Sequence, residues 1–288
     1  MGARQQILDQ FDALTPTMQS AARFIVDHPN EVVIASMRTL ADKAGAQPAT
    51  LVRLAQQLGY SGWPELKSAF AGELGLHSDT YGARAKSLAQ RGRTQDLARE
   101  LFAVQRANLD TTESTGGASL QAAAKLLSKA RAVHLAAFRA SHPIAFSLYY
   151  GMRLFRESVF LIDGSAVGLE VQVRAIDPRD AVIVVSFAPY SREALFVADQ
   201  VRSVGATLVA FTDSGASPLA RDAQAVLQFE VTSPSFFPSV AAGVALSEAL
   251  LERLVADGGD AVVNRIEKVE QGLFDSGIYV RPGRRRSG

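Results

Sequence analysis

Two groups of residues in this chain of 288 have types and spacing suited to chemistry. The first lies in residues 47–58. There Ala49, Thr50, Arg53, Gln56 and Gln57 fall on one side of a helical repeat, and Leu51, Leu54, Ala55 and Leu58 on the other. Gln47 and Pro48 stand at its start, where a cap residue and a first-turn proline belong. Side chains of these types on one exposed helix can read base edges in a major groove. Arg53 would fork to a guanine, Gln56 or Gln57 to an adenine, and Thr50 would meet a phosphate or a thymine methyl. The second group occupies two loops, Phe138-Arg139-Ala140-Ser141-His142-Pro143 and Ser186-Phe187-Ala188-Pro189-Tyr190-Ser191. Hydroxyls beside free N–H groups at a helix start make a phosphate or carboxylate site, to which Arg139 adds charge-assisted bonds. Ser141 and Ser191 are equally the residues that cap helices, so both readings stand.

The first group needs a scaffold of short helices. Met37, Leu40, Ala41 and Ala44 recur at helical spacing before Gly45, which tolerates the left-handed conformation that stops a helix. A helix, a three-residue corner and a second helix with a polar outer face is the helix-turn-helix layout; a plain helical hairpin with a solvated face has the same pattern. Thr15-Pro16 opens a helix that His28-Pro29 ends, Ile7, Leu8, Phe11 and Leu14 mark an earlier one, and Leu66, Phe70 and Leu74 a last one with Lys67 outward. Trp63 reads as a core plug. Residues 1–77 hold six basic and seven acidic side chains, whereas phosphate neutralisation favours a basic surface. Residues 78–95 shift to Gly, Ser, Arg, Lys and Ala, a linker or a loosely packed helix. Residues 96–112 return to helical periodicity, Gly116-Gly117 is expected to break it, and 119–128 reads as a separate short helix.

The second group needs a sheet. Apolar runs at 132–138, 159–162, 181–187, 207–211 and 226–229 alternate with helical segments. Strands apolar on both faces and spaced by crossovers predict a five-stranded, doubly wound parallel sheet, with ligands beyond its carboxyl ends. The expected organisation is a helix-turn-helix domain over 1–77, a linker and connecting helix over 78–116, an α/β domain over 117–280 and a basic tail over 281–288.

Composition narrows the classes. Hydrophobic content of 48%, 20% charge and a net charge of +1 describe an ordinary globular protein with no global pull toward nucleic acid. Without cysteine there is no disulfide or thiolate chemistry. No long apolar run or signal pattern is evident, so a cytoplasmic protein without membrane partners is expected. Among the histidines, His134 falls inside a strand and His28 and His77 end helices. No pair has metal-ligand spacing, and neither a P-loop nor a dinucleotide glycine fingerprint occurs, so no metal or cofactor is expected. His142, Glu170 and Glu193 are the candidates for a general base.

The whole chain resembles RpiR-type bacterial transcription regulators, in which a helix-turn-helix domain precedes a SIS (sugar isomerase) domain. The first half of the resemblance rests on Leu14-Thr15, His28-Pro29, Leu40-Ala41, Thr50-Leu51-Val52-Arg53, Leu58-Gly59-Tyr60, Gly62-Trp63 and Glu65-Leu66-Lys67. The second half rests on Asp180, Ser186, Ser191, Gly205-Ala206, Thr212-Asp213 and Ser217-Pro218-Leu219-Ala220. It implies a homodimer or homotetramer on a pseudo-palindromic operator, tuned by a phosphosugar. Three departures stand out. Gln47 replaces a serine before the recognition helix; Ala137, Phe138 and Ala140 replace glycines of the first SIS loop; and Ala188-Pro189 replaces the Ser-Gly of the second. Arg139, His142 and Tyr190 are the replacements at hand.

The expected protein is thus a regulator of mixed α plus α/β architecture. Gln47, Ala49, Thr50, Arg53 and Gln57 would face the groove of operator DNA and Lys67 its backbone. Arg139, Ser141, His142, Ser186, Tyr190 and Ser191 would hold a small anionic effector, a phosphosugar or related metabolite. Two alternatives remain: a sugar-phosphate isomerase with an accessory helical domain, and a sensor whose helical domain binds protein.

Overall fold

Prolines and cap residues partition the first ninety residues into short helices. In the computed structural model, which describes residues 2–73, 81–91, 96–165 and 167–280, these are α1 (Ala3–Asp9), α2 (Pro16–Asp27), α3 (Pro29–Ile34), α4 (Met37–Lys43), α5 (Pro48–Gln57), α6 (Trp63–Glu73) and α7 (Tyr81–Arg91). Pro16, Pro29 and Pro48 each occupy a first helical turn, where the missing N–H costs nothing. Helix α3 has no counterpart in the periodicity, because its six residues are too few to show one. The earlier helix inferred from Ile7 to Leu14 divides into α1 and a single 3₁₀ turn at Phe11–Ala13, which leaves Leu8 exposed. One core holds these helices together: Ile7, Ile25, Leu40, Leu51, Leu54, Leu66 and Phe70 are fully buried, with Trp63 beside them as the sequence predicts. Helix α7 lies outside this core and buries none of its residues.

The second unit begins with α8, Leu97–Lys129, opened by Asp96, whose carboxylate accepts from the Arg99 amide. This helix corrects one expectation. Gly116-Gly117 does not break it, and no separate helix starts at 119; a boundary at 116–117 would cut through the middle of α8. The physical reason is tertiary packing: glycine's modest helix penalty is offset where a neighbouring side chain, here Leu246, covers the helix at Gly116.

Five parallel strands follow: β1 (Val133–Ala137), β2 (Val159–Ile162), β3 (Ala181–Val185), β4 (Thr207–Thr212) and β5 (Ala225–Gln228), in spatial order β2-β1-β3-β4-β5. Between them run α9 (His142–Arg153), α10 (Leu169–Arg174) and α11 (Arg192–Val204), and α12 (Ala241–Asp275) closes the unit with a break in its helical geometry at Gly259. The central strands β1, β3 and β4 read as near-continuous apolar runs because both faces are covered, whereas the edge strand β2 leaves Phe160 exposed and β5 is buried only at alternate residues. In β3, Ala181, Ile183 and Val185 enter the core shared with α8, α9 and α12, while Val182 and Val184 enter the one shared with α10 and α11. Helix α12 approaches α9 so closely that a Cβ on Gly243 would lie 2.6 Å from Ile144 Cδ1, which is the requirement for glycine there.

The amino ends of β1 and β3 are tied by a buried carboxylate. Asp180, fully buried, accepts from Arg131 Nε and Nη2 at 2.8 Å each, from the Asp177 amide at 3.0 Å, and lies 3.0 Å from His134 Nε2. Burial pushes the Asp180 pKa up, but the bonds from Arg131, Asp177 and His134 outweigh it and hold it below its ordinary value. An ionised carboxylate only accepts, so Nε2 of His134 carries a proton. His134 is therefore a satisfied core histidine, stacked on Phe160 at 5.3 Å.

Candidate functional site

The helix pair of the first unit is built by local chemistry. Ser36 caps α4 by accepting from the Thr39 amide at 3.1 Å. The helix stops in a Schellman arrangement: Gly45 takes φ 64°, and the Ala46 amide returns to Ala41 O at 2.9 Å. Gln47 is extended at the next N-cap but its side chain makes no cap bond, and Pro48 starts α5. On α5, Gln47, Ala49, Arg53 and Gln56 are exposed, and the helical repeat places the last three on one face. Arg53 has no hydrogen-bond or ion-pair partner among the described residues.

Three of the residues expected to meet DNA are placed differently. Thr50 is 2% exposed: it stands between Arg53 and Leu54 on the helical repeat, at the edge of the apolar stripe, and the fold of the unit covers it. Gln57 is exposed, yet its Nε2 donates to Ala13 O at 3.1 Å and closes the end of the 3₁₀ turn. Lys67 is half-buried and donates to Ala35 O at 2.9 Å, where it satisfies a carbonyl at the end of α3. The open face therefore consists of Gln47, Ala49, Arg53 and Gln56, with Arg38 exposed on α4. Burial of Thr50 could not be read from periodicity alone, since a position at the edge of an apolar stripe goes either way.

In the second unit the sheet order reverses at β1, so the loops after β1 and β3 meet at the topological switch point where doubly wound folds bind ligands. After β1, Arg139 takes φ 54°, and Ser141, 4% exposed, accepts from the Phe138 amide and donates to Phe138 O at 2.8 Å. Its hydroxyl is committed to the loop, the helix-start role that serine so often has. Ser191 caps α11 by accepting from the Ala194 amide at 3.1 Å, and Ser186, buried, accepts from the Ser191 amide at 3.3 Å. A hydroxyl that accepts retains its own O–H, so Ser186 and Ser191 keep donors suited to an anion. The Ala188–Pro189 bond in this loop is cis, and Tyr190 is half-buried.

Charge at this site is balanced from within. Arg139 Nη2 lies 2.7 Å from Glu193 Oε1, which joins the β1 loop to the first turn of α11. The backbone amide of Glu193 and then Arg139 hold the Glu193 carboxyl below its ordinary pKa. On the other side, His142 Nε2 is 3.8 Å from Asp163 Oδ2 at the end of β2. Burial pushes Asp163 up, and bonds from Ser165 and Gln172 with the charge of His142 more than reverse it. Asp163 was invisible as a site residue in the sequence, because only the β2–β1 pairing brings it beside His142. Among the described residues no cluster of His, Asp and Glu is arranged to hold a metal ion. The basic tail, 281–288, lies outside the described residues.

Comparison with known proteins matches these two units separately. The helix-turn-helix domain model of the rpiR family matches residues 1–76, and the SIS domain model matches residues 126–253. The HTH-type transcriptional regulator HexR of Pseudomonas aeruginosa is 26% identical over 219 residues, 75% of either chain. In fold, the sugar isomerase domain of an RpiR transcription factor from Sphaerobacter thermophilus aligns with a TM-score of 0.58 at 22% identity, over 62% of this chain and 99% of that one. The NanR protein of Vibrio vulnificus, solved with ManNAc-6P, aligns with a TM-score of 0.59 at 17% identity, over 96% of this chain and 99% of its own.

Proposed function

This chain belongs to the rpiR family of helix-turn-helix proteins that carry a SIS domain, and from that premise we propose that it is a DNA-binding transcription regulator whose SIS domain senses a small anionic metabolite. The observation that carries the reading is the α4–Gly45–α5 corner, with the outer face of α5 left open around Arg53. A helix so presented fits the major groove, and a second copy of the chain would supply the other half-site of a pseudo-palindrome. NanR, the structural relative solved with ManNAc-6P, supports a phosphosugar as the effector class. The loops supply two free hydroxyl hydrogens, from Ser186 and Ser191, and the Arg139 guanidinium for its acid group.

The site is read as a sensor and not as an isomerase. Glu193 is paired with a guanidinium that weakens it as a base, and Glu170 is exposed to solvent. No helix among the described residues is long and apolar enough to cross a membrane, in keeping with a regulator that works on DNA in the cytoplasm. Selection of duplexes from genomic fragments, followed by a gel shift with the Arg53→Ala variant, tests the reading. We expect the variant to lack one bidentate bond to a base, about 1–3 kcal/mol or roughly ten- to hundredfold in affinity. Equal binding by wild type and variant would refute the assignment of α5 as the reading helix.

A further inference from the structure

The effector loops border an acidic group that the capture of an anion does not call for. Asp163 follows the last residue of β2, at the carboxyl edge of the sheet where the loops after β1 and β3 also lie. Its Oδ1 is committed to its own loop. It accepts from the Ser165 amide at 2.9 Å and from Gln172 Nε2 at 3.4 Å, and Gln172 is itself held by the Gly164 amide at 2.9 Å. Among the described residues the Asp163 Oδ2 meets only His142 Nε2, at 3.8 Å. That separation exceeds a hydrogen bond, so both atoms keep capacity for a third group. The His142 ring is backed by Phe146, stacked on it at 5.9 Å.

The two atoms differ in what they offer. Facing a carboxylate, His142 Nε2 carries an N–H, while Oδ2 supplies a lone pair. A hydroxyl can donate to one and accept from the other, whereas a carboxylate or phosphate oxygen only accepts and is repelled by Asp163. Burial opposes ionisation of Asp163, but the bonds from Ser165 and Gln172 outweigh it, so the repulsion is present at neutral pH. Strand register sets the distance to the hydroxyls of the other loop. Ile162 and Val184 both pair with Ala136, so Asp163 and Ser186 stand on opposite sides of β1. Two inter-strand steps amount to about 9.5 Å. A phosphate held by Ser186 and Ser191 does not reach Asp163, but a sugar attached to that phosphate does.

We propose that Asp163 and His142 form a hydroxyl-selective subsite, which admits phosphosugars whose far end is a neutral polyol and rejects those with a second acid group. The inference rests on the anion-sensing reading above and narrows its ligand class.

The test is calorimetry of the full chain with inorganic phosphate, glucose 6-phosphate, fructose 6-phosphate and 6-phosphogluconate, the last carrying a carboxylate at the end remote from its phosphate. Wild type should bind a neutral sugar phosphate about tenfold or more tighter than 6-phosphogluconate, the worth of one hydrogen bond to a charged group. In Asp163→Asn the amide oxygen stays with the two donors at Oδ1, and the NH2 group takes the place of Oδ2. Donors then flank the site from both sides, and the preference should reverse in favour of 6-phosphogluconate. Asp163→Ala, which leaves nothing at Oδ2, should abolish the preference without reversing it. Wild-type selectivity retained in both variants overturns the subsite and leaves the effector site standing. Tighter binding of 6-phosphogluconate than of either neutral sugar by the wild type overturns the subsite as well. Absence of binding to all four compounds overturns both readings.

Discussion

Replacing Asp180 with alanine should loosen the sheet at the end opposite the effector loops, and the size of the effect follows from its contacts. The carboxylate accepts four bonds, two from Arg131 and one each from the Asp177 amide and His134. Alanine keeps no acceptor. The Asp177 N–H and the His134 Nε2–H, both donors, lose theirs. Each buried donor left without an acceptor costs about 1–3 kcal/mol. Arg131 is 47% exposed and recovers water, so its loss is discounted. The expected destabilisation is about 3 kcal/mol, within the range for breaking one side of a buried ion pair. For a domain of this size that is roughly 6–12 °C in Tm. The pH dependence has a defined sign. Because the folded pKa of Asp180 lies below 3.8, its contribution is complete above that value and is lost as pH falls through the folded pKa. Wild type and Asp180→Ala should therefore converge in stability below pH 3.8. Urea unfolding at neutral pH and in a pH series provides the assay. A difference under about 1 kcal/mol at neutral pH would mean that the two donors find other acceptors, and the account of this network would be wrong.

Three further perturbations follow from the same structure. Gly243→Ala drives a methyl to 2.6 Å from Ile144 Cδ1 and 3.0 Å from the Phe229 ring, so overpacking between α9 and α12 should cost about 1–3 kcal/mol in thermal unfolding. Ser36→Ala removes the cap of α4 and should cost about 1 kcal/mol, seen first as faster amide exchange at Thr39. Arg139→Gln removes the guanidinium that joins the β1 loop to Glu193 on α11. Calorimetry with whichever phosphosugar a thermal-shift screen selects should show weaker binding than wild type, whereas Glu193→Gln, which frees Arg139 from its internal partner, should bind more tightly.

The sequence by itself determined the kinds of element and the order in which they come. Pro48 after an extended Gln47, Gly45 at a left-handed corner and Gly59 at the end of α5 are local devices, and each acts through its own backbone preference. The apolar runs of β1, β3 and β4 likewise announced buried parallel strands, because a strand covered on both faces needs apolar residues at almost every position. Tertiary structure decided what periodicity leaves open. It buried Thr50, tied Gln57 to Ala13 and Lys67 to Ala35, and carried α8 through Gly116. It also brought Glu193 to Arg139 and Asp163 to His142 across 54 and 21 positions of sequence, pairings that depend on strand order and register. A single helix turn or strand pleat specifies a direction for each side chain. Only the neighbour that arrives from elsewhere in the chain fixes whether that direction meets solvent, an apolar wall or an opposite charge.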